Sequence, residues 1–416
     1  GGGIFLIIYI VLALTFGYTM IVAETAIGRM TRKSPVGAFK SFGKKKWLSF
    51  GGWINAVIPV LIVPYYSVIG GWVIKYLVEY FRGNAKLLAE DGYFTDFISN
   101  GVSTELCFVA FCAFTLIIIF AGVQNGIERV SKIMMPILIV LSVIIAVYSV
   151  TRPGALAGVK YFLVPNVKNF SWMTVVSAMG QMFYSLSIAM GILITFGSYM
   201  KKDTAIEDST RNVEVFDTGI AIMAGLMIIP AVFAFSGGDP DTLQAGPSLM
   251  FITIPKVFQN MGFGTVIGIV FFLLVLFAAV TSSIALTESA VSTFEDELGW
   301  GRKKATVLVG VIMLVLGSLS SLGYGPLAGI KIIGMQFLDL FDFLTNSVMM
   351  PIAALLTSLL VSRVVGIDKI EEEIIHGESA FRRKKVFVVM IKYLCPVFAI
   401  IILLSSVANA LGWIKM

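Results

Sequence analysis

Apolar residues run along this chain in long blocks, separated by short segments that alternate between basic and nearly charge-free. A block of about 20 apolar residues is what an α-helix needs to cross a hydrocarbon core. The pattern predicts ten such spans, at 4–27, 48–80, 104–122, 133–151, 173–198, 214–236, 262–293, 305–322, 335–362 and 387–413. The connections fall into two sets. One carries Arg29, Arg32, Lys33, Lys40 and Lys44 to Lys46, then Arg129, Lys132, Lys201, Lys202, Arg211 and Arg302 to Lys304, and finally Arg363, Lys369 and Arg382 to Lys385. The other, at 82–103, 152–172, 237–261 and 323–334, is poor in Lys and Arg. Basic loops stay in the cytoplasm, so the first set is predicted inside and the triple-glycine start outside, which fits the loss of one preceding span.

Some spans are not plain rods. Span 48–80 holds Pro59, Pro64 and Gly70-Gly71 and is expected to kink and tilt. Span 335–362 holds Asp339, expected near a solvated interface, and Asp342, a deeper carboxylate that reads as functional. Span 173–198 contains Gly180–Gly191, GQMFYSLSIAMG, in which glycines and the hydroxyls of Ser185 and Ser187 interrupt the apolar run. Backbone freed from a helix within hydrocarbon survives only where it lines a cavity or binds something, so this stretch points to a binding site. Alternatively, its small residues only let two helices approach closely. The loop 237–261 has an apolar middle, Leu249 to Pro255, expected to fold back onto the mouth of the bundle. The mixed-charge run at 366–385 reads as a solvated cytoplasmic linker. Asn169-Phe170-Ser171 matches a glycosylation sequon, read as a chance match.

Composition fits a polytopic all-helical membrane protein: 416 residues, 57% hydrophobic and only 13% charged. The net charge of +6 comes from the cytoplasmic loops and does not indicate nucleic-acid binding. Three cysteines lie within apolar spans without metal spacing, and the one histidine, His376, sits in a charged loop, which disfavours a zinc or histidine-based catalytic centre. An ion channel would need a continuous polar stripe, and an intramembrane enzyme would need acid, base or metal groups at one depth; neither pattern is present.

Four separated motifs carry a resemblance. They are GGGIFLIIY at 1–9 with Glu24-Thr25-Ala26-Ile27-Gly28-Arg29, PYYSVIGGW at 64–72, GQMFYSLSIAMG, and FAAVTSSIAL followed by FEDEL at 277–298. Together the chain resembles the neurotransmitter:sodium symporter family, nearly end to end. The resemblance implies two inverted five-helix repeats, the first lacking its first helix, plus one additional C-terminal helix, all within one transmembrane transporter domain, 1–416. The absent helix would supply half of the substrate carboxylate site and part of both sodium sites, so the chain is not expected to transport as it stands. A short outer loop at 82–103 without a cysteine pair favours a bacterial or archaeal cell membrane.

Site residues follow from the resemblance, each beside a plainer alternative. Thr281 and Ser282, with the carbonyl of Ala278, match the second sodium site, although such hydroxyls commonly bond back to their own helix. Ser185 and Asp217 match the first sodium site, although Asp217 at the start of a span would also serve as a cap. Tyr66 matches the tyrosine that holds a substrate carboxylate; an interfacial-belt tyrosine is the alternative. Ile62, Tyr184, Ser187, Met190, Ser282 and Leu286 match the side-chain pocket, mainly apolar and uncharged, with Tyr184 as aromatic lid. Gln181 and Asp342 match outer-gate partners. Glu24 matches a residue that hydrogen-bonds unwound backbone; a snorkelling glutamate paired with Arg29 is the alternative. Tyr9, Gln181 and Ser185 match a chloride site at which Asp217 replaces a neutral asparagine, so chloride is not expected to be required. Na⁺, a hard cation, suits such oxygens. The expected function is sodium-coupled symport of a neutral, hydrophobic amino acid by alternating access. The alternatives are an amine or osmolyte as solute, or a non-functional fragment.

Overall fold

The computed structural model describes residues 2–415 and is helical almost throughout. Nine helices are long and apolar enough to span a membrane among the described residues. They are α1 (Gly3–Thr31), α2 (Lys46–Phe81), α3 (Gly101–Phe120) and α4 (Val123–Val150), then, after a pair of short helices α5 (Trp172–Ser185) and α6 (Ile192–Tyr199), α7 (Ile206–Ser236), α8 (Gly264–Leu298), α9 (Arg302–Leu322) and α10 (Phe337–Val365). A short helix α11 (Ile367–Ile375) then leads to α12 (Lys384–Ala410).

The predicted span 173–198 is not one helix but two, separated by the unwound stretch 186–191. Ser187 and Ala189 have φ of 56° and 58° there, a left-handed conformation that side chains with a Cβ adopt only when their surroundings hold them. Gly191 (φ 75°) ends the stretch, and a Cβ on it would lie 2.6 Å from the Asn55 carbonyl oxygen of α2. Nothing lies within 4 Å of a Cβ built on Gly180, so close helix approach does not account for that glycine.

Two predicted helix starts move furthest. Helix α4 begins at Val123 rather than 133, and α7 at Ile206 rather than 214. Both run on past their apolar block into polar surroundings, where a helix needs no hydropathy. Asp217 therefore lies about three turns inside α7, which removes the helix-cap alternative. Helix α2 stays continuous through Pro59 and Pro64; at 36 residues it is about 54 Å long and must tilt to fit a bilayer.

The loop 237–261 does fold back onto the bundle. Phe251, Ile254, Val257 and Phe258 are buried, and Phe251 stacks on Phe94 at 5.2 Å and packs edge-on to Trp72 at 5.8 Å. Tyr76 donates its hydroxyl to the Phe251 carbonyl at 2.8 Å. Asp339 is exposed, as expected, and accepts from Tyr324 at 3.1 Å. The segment 366–385, expected to be solvated, instead packs against the bundle: Ile370 and Ile374 are fully buried and Glu373 is 4% exposed.

Candidate functional site

A cavity of about 190 Å³ lies where α2, the unwound stretch and α8 meet. Ile62 and Tyr66, one turn apart on α2, form one wall. Tyr184, Ser185, Ser187 and Met190 come from the broken segment, and Ser282 and Leu286 from α8. All seven positions matched to a substrate pocket therefore share this space. Ile192 and Ala285 also line it and were not anticipated. Ala285 was within reach of the pattern, because it stands three residues after Ser282 on the same helix face. Among the described residues, no Asp, Glu, Lys or Arg lines the cavity. Next to Tyr66, Tyr65 donates to Asp342 at 3.2 Å and shares a hydrogen bond with Thr345 at 3.3 Å. Asn346, one turn further on, donates to the same Asp342 carboxylate.

Asp217 is the focus of a second cluster. Tyr9 of α1 donates to its Oδ2 at 2.6 Å, and Ser185, the last residue of α5, donates to its Oδ1 at 2.5 Å. Two hydroxyls each donating to a different oxygen is the pattern an ionised carboxylate accepts. Gln181, one turn before Ser185, is exposed and makes no hydrogen bond to this cluster. Ala221 follows Asp217 by one turn and adds no polar group.

The third group sits on α8. The Thr281 hydroxyl lies 3.0 Å from both the Phe277 and Ala278 carbonyl oxygens, the back-bonding expected of a membrane threonine. The same geometry sets the Thr281 and Ala278 oxygens close enough to share one cation. Ser282 is exposed to the cavity. Among the described residues no group of three or more His, Cys, Asp or Glu is gathered for a metal; the hydroxyl, carbonyl and Asp217 carboxylate oxygens of these clusters are hard donors, a set that suits a hard ion.

Glu24 secures the unwound stretch. It is fully buried and accepts the Ala189 N–H, at 3.0 Å through one oxygen and 3.3 Å through the other. A carboxyl oxygen accepting a backbone N–H left free by unwinding offsets the cost of leaving both groups unpaired in hydrocarbon. Arg29 does not pair with Glu24; it meets Glu373 at 2.8 Å, which removes the interfacial-pair alternative.

The chain is 33% identical over 411 residues to the uncharacterized sodium-dependent transporter YhdH of Bacillus subtilis, covering 98% of this chain and 90% of the relative. It is 30% identical to the uncharacterized sodium-dependent transporter MJ1319 of Methanocaldococcus jannaschii, over 90% of this chain and 77% of the relative. The crystal structure of MhsT in complex with L-phenylalanine superposes with a TM-score of 0.86 at 33% identity, covering 98% of this chain and 92% of that one. The family model for the sodium:neurotransmitter symporter family matches residues 1–90 and 96–413. The chain thus belongs to the sodium:neurotransmitter symporter family and is a multi-pass, all-helical plasma-membrane protein with that family's inverted-repeat fold.

Proposed function

We propose that this protein, a single transport domain, couples inward Na⁺ movement to uptake of a neutral, hydrophobic amino acid by alternating access. The observation that carries the reading is the unwound stretch 186–191 running along a small cavity without charged side chains. The unwound backbone offers N–H and carbonyl groups to a zwitterion's head, and Ile62, Met190 and Leu286 offer an apolar socket to its side chain. Tyr66 donates its hydroxyl to the substrate carboxylate, Ser187 contributes a second hydroxyl, and Tyr184 covers the site. One Na⁺ is held near Ser185 and Asp217, a second by Thr281, Ser282 and the Ala278 carbonyl. Asp217 supplies the negative charge that chloride would otherwise bring, so transport runs without it. Asp342, which accepts from Tyr65, and Gln181 serve as partners of an outer gate. The phenylalanine bound to MhsT supports the substrate class.

Equilibrium binding to the full-length gene product tests the substrate assignment. Phenylalanine and leucine should bind in Na⁺ and lose affinity when K⁺ replaces it, while γ-aminobutyrate and betaine should not compete. Tighter binding of an amine or osmolyte than of any neutral amino acid would overturn it.

A further inference from the structure

The segment between α10 and α12 does more than connect them. Glu373 of α11 pairs with Arg29 at 2.8 Å and with Lys202 at 2.6 Å. Arg29 is fully buried, and besides this contact its guanidinium donates to three carbonyls: Glu373 at 2.6 Å, Thr204 at 2.6 Å and Lys201 at 3.1 Å. Further along, the Glu378 carboxylate accepts the N–H groups of Glu207 and Asp208 at the start of α7, at 3.0 and 3.3 Å. Arg383 then binds Glu214 of α7 at 2.8 Å and covers the Tyr18 ring of α1 at 3.5 Å. One connection thus grips α1, α7 and the loop between α6 and α7.

What it grips is the wall of the cavity. Helix α6 begins with Ile192 in the cavity lining and descends to that same loop. It is pressed backbone to backbone on α1. A Cβ on Gly28 would lie 2.0 Å from the Ile194 carbonyl oxygen, and one on Gly197 would lie 2.5 Å from that of Thr25. Helix α6 cannot swing from the cavity without moving the end of α1 or breaking away from it, and Arg29 stands at that end. An exposed ion pair would restrain such motion little, but a buried one leaves an uncompensated charge when broken.

We propose that residues 366–385 form a cytoplasmic strap whose Glu373–Arg29 clasp holds α6 against α1 and thereby keeps the cavity closed toward the cytoplasm. The strap sets how readily the cytoplasmic side opens, and its loosening shifts the protein toward an inward-open state. The role rests on the alternating-access reading; the clasp itself is independent of which solute is carried.

Amide hydrogen exchange of the full-length protein in nanodiscs, without Na⁺, provides the test. In Glu373→Gln, residues 192–205 should exchange about tenfold or more faster than in wild type, while α9 is unchanged. Arg29→Lys keeps the charge but loses the fork that reaches Lys201 and Thr204, and should act in the same direction to a smaller extent. If Glu373→Gln does not insert, Arg29→Lys decides by the same criterion. Unchanged exchange at 192–205, or an increase shared equally by α9, overturns the strap. A wild-type protein whose 192–205 segment is indifferent to Na⁺ would count instead against the transport reading.

Discussion

Replacing Asp217 by Asn removes one negative charge while leaving a side chain of nearly the same shape. Both carboxylate oxygens receive hydroxyls, from Tyr9 at 2.6 Å and Ser185 at 2.5 Å. An amide has one acceptor oxygen and a donor NH₂ group, so one hydroxyl must turn away or face a donor. A hydrogen bond to a charged group contributes about 1.5–3 kcal/mol, and that is the smaller loss. A Na⁺ about 4 Å from the carboxylate would be attracted by roughly 4 kcal/mol at an effective dielectric constant of about 20. Even if relaxation and water offset two-thirds of that, Na⁺ affinity should fall about tenfold, since 1.4 kcal/mol is one decade. The assay is Na⁺-driven uptake by the full-length gene product in vesicles, with chloride replaced by gluconate. Wild-type uptake should not change. Asp217→Asn should lose most uptake or recover it only in chloride, above all when combined with Ala221→Ser, which adds a hydroxyl one turn away. Strong chloride dependence of the wild-type protein would refute the reasoning, because the fixed charge would then not be doing chloride's work.

Three other outcomes are expected. Removing both hydroxyls in Thr281→Ala with Ser282→Ala takes two oxygens from one cation site, each worth about 1–3 kcal/mol, so half-saturating Na⁺ should rise at least about tenfold; no rise would place that site elsewhere. Leu286→Trp should exclude tryptophan first, then leucine, and alanine last in competition assays, and an equal loss for all three would show that Leu286 does not face the substrate. Burial alone would raise the Glu373 carboxyl, but Lys202 and Arg29 hold it below the ordinary range. A lowered pKa means its stabilisation is complete at neutral pH and is lost only as pH falls through and below about 4. The difference in melting temperature between wild type and Glu373→Gln should therefore be constant from pH 7.5 to about 5.5, and a steep decline within that range would contradict the assignment.

The pattern of the chain carried most of the bundle, because burying or exposing 20 apolar residues to lipid leaves an unmistakable trace in hydropathy. The break at 186–191 was legible too, through the serines and glycines that no uninterrupted apolar helix requires. What escaped was helix outside the bilayer. The polar start of α7, Glu207 to Glu214, hid its first two turns and so misplaced Asp217 at a helix end. The run at 366–385 looked solvated because its charges outnumber its apolar residues, yet Ile370 and Ile374, four apart, already marked a buried stripe. Tertiary partners were the least legible. Arg29 and Glu373 are 344 residues apart, and nothing local distinguishes that pair from Arg29 with Glu24. The side chains around the cavity were legible only as a set, through motifs from three distant segments, and Ala285 was missed because a small apolar residue carries no chemical signal.

We propose above all that a Na⁺ gradient drives a neutral, hydrophobic amino acid through this cavity. The most direct measurement is uptake of labelled phenylalanine by vesicles containing the full-length gene product, with Na⁺ outside and K⁺ inside. Phenylalanine should accumulate above its external concentration and flow back out when gramicidin dissipates the Na⁺ gradient. Uptake that only equilibrates, or that proceeds equally when K⁺ replaces external Na⁺, would contradict the account.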